Sequence, residues 1–156
     1  MTTIRTVMLF SVVLAVLGSC AGIPRGTTTP LHTAAEAGDI DEVLELITGE
    51  SKVDARDEMG RTALHRAAVA GDILVTAALL NVGADPNLVD VDGRSVLHLA
   101  VLTCDADLVA MLLGADANPE VRDEDDRSPL DLAMEGDCPE VVDTIRSASR
   151  LPDQNL

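Results

Sequence analysis

The chain has 156 residues and a formal net charge of −16, and Phe10 is its one aromatic residue. A surface so acidic repels nucleic acid phosphates and anionic lipid headgroups; it either favours basic partners or serves solubility alone. A core without aromatic bulk must be assembled from Ala, Leu, Val and Ile, which argues for thin, closely stacked helices.

Residues 1–19 read as an export signal. Arg5 stands in a short basic region, and an apolar run of about 12 residues from Thr6 to Leu17 follows. That length suits a signal peptide and falls short of the roughly 20 residues a membrane-spanning helix needs. Small residues Gly18 and Ser19 precede Cys20. The segment Leu17-Gly18-Ser19-Cys20 resembles the lipobox of bacterial lipoproteins. The resemblance implies cleavage before Cys20, a lipid on its thiol and anchoring in the bacterial envelope. Ala21 stands where an Asp would imply inner-membrane retention, so the resemblance points to the outer membrane, facing the periplasm. An ordinary secretory signal cut nearby, or a retained anchor, is the alternative. Losing Arg5 and no acid would take the charge from −16 to −17. Residues 20–28 form the acylated Cys and a tether containing Gly22, Pro24 and Gly26, whose eight residues after Cys20 reach roughly 25 Å.

From residue 29 to 148 the chain repeats itself. Thr29-Pro30-Leu31-His32, Thr62-Ala63-Leu64-His65, Ser95-Val96-Leu97-His98 and Ser128-Pro129-Leu130-Asp131 start 33 residues apart. Asp57, Asp90 and Asp123 keep that period, as do Arg61, Arg94 and Arg127. Each Thr or Ser can cap a helix by accepting from an orphan backbone N–H, with Pro30 and Pro129 at the first helical position. Ala34, Ala35, Ala67 and Ala68 allow close helix approach, and Gly38 and Gly71 can end the helix in a left-handed conformation. A second amphipathic helix follows, with Ile40, Val43, Leu44, Leu46 and Ile47 in the first repeat, Ile73, Val75, Leu79 and Leu80 in the second, and Leu108, Val109, Leu112 and Leu113 in the third. These segments, with the loop Gly83-Ala84-Asp85-Pro86-Asn87, resemble the ankyrin-repeat family. The resemblance implies an all-α solenoid of about four helix-turn-helix repeats with β-hairpin-like connecting loops. A polar tail, 149–156, closes the chain.

Departures from the pattern are informative. Cys104 replaces the helix-ending Gly in repeat three, Asp116 the loop Gly seen at Gly83, and Asp126 the turn Gly seen at Gly60 and Gly93. Repeat four lacks the His and reads as one residue short before Gly136, as suits a terminal repeat whose outer face meets water. Repeat one lacks an opening hairpin and has an irregular loop from Thr48 to Lys52, which suits the opposite end.

Three constellations invite chemistry. His32, His65 and His98 sit at equivalent positions about 10 Å apart in a stack, too far to share an ion, and the family resemblance makes them structural. The run Asp123-Glu124-Asp125-Asp126 lacks the alternating ligands and the Gly of a calcium loop; it reads as a solvated tip or a patch for a basic partner. Cys104 and Cys138 are 34 residues apart. Bridging needs Cα atoms within about 7 Å, and stacked repeats offer more unless a loop shifts, so two free thiols are expected, with a disulfide as the alternative. No Ser-His-Asp set, phosphate-cradling Gly loop, Cys-x-x-Cys or cofactor fingerprint is present in the sequence, so no catalytic residue, metal or cofactor is assigned.

The ankyrin resemblance implies a binding face made of hairpin tips and the exposed side of each first helix. Here it comprises Glu58, Met59 and Arg61, Val91, Asp92 and Arg94, and Glu124, Asp125 and Arg127 at the tips, with Val69, Leu102 and Thr103 on the helices. Glu36, Ala37, Ala70 and Glu135 flank them. Met59, Val69, Val91 and Leu102 make an apolar stripe with a charged rim, unless Met59 and Leu102 fold back on the solenoid. The periodic Asp and Arg sets read alternatively as a structural ladder. The resulting expectation is a monomeric module for a protein partner with a basic patch, without nucleic acid, touching the membrane only through the lipid on Cys20. An inhibitor or immunity-type role comes first, and an envelope scaffold or accessory factor for a redox or stress enzyme second.

Overall fold

The computed structural model describes residues 27–48 and 52–149. The proposed signal segment 1–19, Cys20, part of the tether and of the Thr48 to Lys52 loop, and nearly all of the tail lie outside them. The described residues form four consecutive helix pairs: α1 Pro30–Ala37 and α2 Ile40–Ile47, α3 Ala63–Ala70 and α4 Ile73–Asn81, α5 Val96–Val101 and α6 Ala106–Gly114, α7 Pro129–Glu135 and α8 Pro139–Ser149. In one layer α1 packs on α3, α3 on α5 and α5 on α7; in the other α2 packs on α4 and α6 on α8. This is an all-α solenoid of four helix-turn-helix repeats. Helices of 6 to 11 residues are too short to stand alone in water, so packing between repeats holds them.

The sequence explains the close approach. Ala34, Ala35, Ala67, Ala68, Ala100 and Ala133 are all buried in the first layer, where a larger side chain would push the helices apart. Val43, Val75, Leu79, Leu108, Leu112, Val141 and Ile145 fill the space between the layers. Leu44 departs from the amphipathic pattern and is exposed on α2.

Helix ends follow local chemistry. The second helices are capped by a periodic aspartate: Asp39 Oδ1 accepts from Glu42 N–H at 3.1 Å, Asp72 Oδ1 from Val75 N–H at 2.9 Å and Asp105 Oδ1 from Leu108 N–H at 3.1 Å. The first helices end on left-handed residues, Gly38, Gly71, Cys104 and Asp137, with φ of 70, 72, 54 and 53°. Repeat four is therefore not a residue short. Its left-handed position is Asp137, 33 residues after Cys104, and Gly136 has φ −79°. Glycine at 136 answers a different need, since a Cβ there would lie 3.3 Å from the Leu132 carbonyl and 3.4 Å from Cys138 Sγ.

The expectation of two free thiols is also corrected. Cys104 and Cys138 form a disulfide, with Cα atoms 5.5 Å apart. Their separation of 34 is one more than the period, so they are not equivalent positions one stacking distance apart. The left-handed backbone at Cys104 aims its Cβ across the repeat boundary at the residue 34 further on. The same geometry recurs at Gly38, where a Cβ would lie 2.8 Å from Asp72 Oδ2.

Candidate protein-binding face

Three hairpin tips precede α3, α5 and α7. Each is closed by a backbone bond from an Asp N–H to an Arg carbonyl: Asp57 to Arg61 at 2.9 Å, Asp90 to Arg94 at 2.9 Å and Asp123 to Arg127 at 3.0 Å. The same aspartate organises the turn from within. Asp57 Oδ1 accepts from Met59 and Arg61 N–H at 2.8 and 2.9 Å, Asp90 Oδ1 from Asp92 and Arg94 N–H at 3.0 Å each, and Asp123 Oδ1 from Asp125 and Arg127 N–H at 3.0 and 2.9 Å. A buried carboxylate with two N–H donors is stable only if its second oxygen is also satisfied. Arginine does this in every tip: Arg66 at Asp57, Arg61 Nε at Asp90 (3.2 Å), and Arg127 Nη2 at Asp123 (3.0 Å). Burial pushes the Asp57 and Asp123 carboxyls up, but the arginine and backbone N–H bonds outweigh it and hold both below the ordinary carboxylate range.

Tips stack through their backbones, Val91 N–H donating to the Met59 carbonyl at 2.9 Å and Glu124 N–H to the Asp92 carbonyl at 3.0 Å. That approach requires glycine at the turn. Gly60 and Gly93 have φ of 72 and 73°, and a Cβ on either would lie 3.2 Å from the backbone nitrogen of the next tip. Asp126 takes the same conformation, φ 61°, at a tip that among the described residues has no following tip against it.

The histidines join tip to helix. His32 Nε2 lies 2.9 Å from the Arg61 carbonyl and His98 Nε2 3.1 Å from the Arg127 carbonyl, so Nε2 must carry the proton. Nδ1 then accepts, from Thr29 N–H at 3.1 Å, Thr62 N–H at 3.2 Å and Ser95 N–H at 3.1 Å. The capping hydroxyls of these three repeats lie 2.8–2.9 Å from the same Nδ1, and Thr29, Thr62 and Ser95 each complete a capping box, the hydroxyl facing the backbone N–H three residues on as expected. In α7 Ser128 Oγ accepts from the backbone N–H of Asp131 at 3.2 Å. Asp131 Oδ2 there replaces the imidazole as acceptor, from Ser128 N–H and Oγ–H at 2.9 and 2.8 Å. His65 Nε2 faces the Arg94 and Leu88 carbonyls but meets neither in normal hydrogen-bond geometry. Burial holds the His65 pKa down to about 4 and lowers that of His98, so both rings are neutral at neutral pH.

On this scaffold the apolar positions read from the sequence are exposed: Met59 at 43%, Val69 at 50%, Val91 at 54% and Leu102 at 62%. None folds back into the solenoid. Met59 and Val91 are adjacent through their backbone bond, and Val69 and Leu102 occupy equivalent places at the ends of the packed helices α3 and α5. Glu58, Glu124 and Asp125 are exposed beside them, and Asp92 and Thr103 are half-exposed. The arginines are committed to the fold: Arg61 to Asp90, Arg94 to Asp92 (3.6 Å), and Arg127 to Asp123, Asp125 (2.7 Å) and Glu135 (3.9 Å). The ladder reading of the Asp and Arg sets is thus realised in the tips. Two residues escaped the sequence reading. Arg66 joins Glu36 at 3.1 Å to Asp57, and has no counterpart in the other repeats to signal it. Met134 is exposed on α7 although its equivalents Ala35, Ala68 and Val101 are buried, because among the described residues no helix packs on that side of α7.

The sequence matches the family described as ankyrin repeats in three copies, over residues 10–90 and again over 74–155. The chain belongs to the ankyrin-repeat family, and its repeats make it a protein–protein interaction module. No curated protein matches it closely enough to count as a relative.

Proposed function

We propose that the protein is a lipid-anchored ankyrin module of the bacterial envelope that binds a partner with a basic patch and inhibits it, as an immunity-type protein does. The observation that carries this reading is the exposed set Met59, Val69, Val91 and Leu102 beside the carboxylates of Glu58, Asp92, Glu124 and Asp125. An apolar centre with a charged rim is the common layout of protein interfaces. Because Arg61, Arg66, Arg94 and Arg127 are paired with carboxylates and the chain carries a net charge of −16, the remaining acids, Glu58 and Glu124 among them, set the sign of the field, and a cationic partner is drawn in. The lipobox-like segment ending at Cys20 supports export, and so does the disulfide, since disulfides persist in oxidising compartments.

Capture of the partner from envelope extract comes first, followed by titration of purified components at rising salt. Leu102→Asp or Met59→Asp should weaken binding about 30-fold while leaving the circular dichroism spectrum unchanged. Unchanged affinity in both variants excludes this face, and salt-independent binding excludes the electrostatic part. An inhibitor silences the partner's activity on binding, whereas a scaffold leaves it intact. The anchor is tested by Cys20→Ser, which should release the protein from the membrane fraction; persistent membrane association overturns lipidation.

A further inference from the structure

The Cys104–Cys138 bridge lies apart from the tips and is asymmetric. Cys104 is exposed, whereas Cys138 is 5% exposed, with its sulfur packed close over Gly136. Cys104 holds a left-handed place, φ 54°, that Gly38 and Gly71 fill in repeats one and two. A side chain there strains the backbone where glycine would not. What this one provides is a covalent tie to the next repeat. The tie falls where few side chains are buried: α7 buries Pro129 and Ala133 and α8 buries Val141 and Ile145, against five residues buried in α3 and six in α5. Among the described residues repeat four also packs on one neighbouring repeat, where repeats two and three pack on two.

We propose that this disulfide is a thiol-operated latch that holds the fourth repeat down and opens by attack at Cys104. An external thiolate reaches Cys104 Sγ, a new S–S bond forms, and Cys138 Sγ leaves with the electron pair of the broken bond and takes a proton from water. If the reductant is a dithiol, its second thiolate attacks its own first sulfur and expels Cys104 as a thiolate. The dithiol is thereby oxidised to a disulfide and the bridge reduced to two thiols. With the latch open, α7 and α8 keep their few buried side chains and the His98 Nε2 bond to the Arg127 carbonyl, and the repeat opens locally. Leu102 lies two residues before Cys104, so partner affinity falls too, a consequence that rests on the binding reading above.

Hydrogen exchange of the full chain, with and without dithiothreitol, tests the latch. Exchange in α7 and α8 should rise about tenfold or more on reduction while α1 to α4 stay unchanged. No rise in α7 and α8, or an equal rise in all four repeats, overturns it. The direction of attack is tested with glutathione disulfide on C138S and C104S, adducts being located by peptide mapping. The Cys104 thiol should react about tenfold faster or more than the Cys138 thiol, and equal rates overturn the assignment. Neither measurement involves a partner, so each stands or falls independently of the binding reading.

Discussion

Acidification tests the neutral, buried state of His65. Its ring is buried between repeats, and burial holds its pKa down from 6.5 to about 4 despite the opposing pull of the Asp90 charge. The unfolded chain therefore takes up a proton near pH 6.5 that the folded chain refuses until about pH 4. Stability is full above the unfolded value, falls as pH drops through this window, and has lost the whole contribution below the folded value. The loss from this one ring is about 2 kcal/mol by pH 5 and about 3 kcal/mol by pH 4. His98, lowered for the same reason, adds to the loss on the same side. Asp57, Asp123 and Asp131 act further down: their carboxyls are held below 3.8, so their contribution is present above that value and is lost only as pH falls beneath it. Urea unfolding followed by helical circular dichroism at several pH values reads this out, and the midpoint should fall by about 1 M between pH 7.5 and 5. Imidazole resonances supply the direct check, with the His65 signal still unmoved at pH 5. A midpoint that is flat across this range, or a His65 ring that titrates at 6 or above, refutes the reasoning.

Asp90→Asn leaves one carbonyl oxygen for two tip N–H donors and turns an amide NH2 towards the Arg61 guanidinium. It should cost about 2–4 kcal/mol, a fall of about 10 °C in Tm, whereas Glu124→Gln at the next tip should change little; a fall under about 2 °C for Asp90→Asn sinks the ladder argument. Gly93→Ala and Asp126→Gly alter equivalent positions and should move thermal stability in opposite directions, down by about 2 kcal/mol and up by about 1 kcal/mol, because only Gly93 has a following tip against it. Changes of the same sign in the two melts contradict the stacking explanation. Reducing the Cys104–Cys138 link opens a loop of 34 residues, which a chain-entropy estimate values at roughly 4 kcal/mol; an unaltered calorimetric melt in dithiothreitol shows that the bridge contributes nothing.

The period made the architecture readable, because the Thr or Ser caps, the alanine pairs and the tip aspartates all recur at one interval and each has a local reason to be where it is. Exposure of Met59, Val69, Val91 and Leu102 was readable for the same reason: an apolar residue at a position the fold leaves open stays open. Contacts between repeats were harder to read, because apart from the Arg56 bond to the Val89 carbonyl most of them join positions that are not equivalent. His32 meets the Arg61 carbonyl and Arg61 meets Asp90, each pair 29 residues apart, and the cysteines meet at 34. Searching at the repeat length compares residues that lie a full stacking distance apart. The contacting partner sits a few residues before or one after, an offset fixed by the tilt of the hairpin and by the left-handed turn. Neither can be seen in a one-dimensional alignment.

The same offsets explain which residues change in repeat four. Glycine is required at 60 and 93 by the backbone of the tip that follows, and histidine at 32 and 98 reaches forward with Nε2 to the next tip's carbonyl. In repeat four both partners would belong to a fifth repeat, and both residues change: Asp126 replaces the glycine and Asp131 the histidine. Asp131 keeps the backward contact to Ser128 that Nδ1 makes elsewhere, and gives up the forward one. A further tip arriving at Asp126 would meet a side chain where Gly60 and Gly93 present none. The two aspartates thus preserve the internal geometry of repeat four without the forward-reaching groups that join repeats one to three to the repeat after them. What is left at that end is held sideways by α5, α6 and the Cys104–Cys138 bridge. That is why repeat four, which has lost both the glycine and the histidine of its neighbours, is the one tied to the repeat before it by a covalent bond.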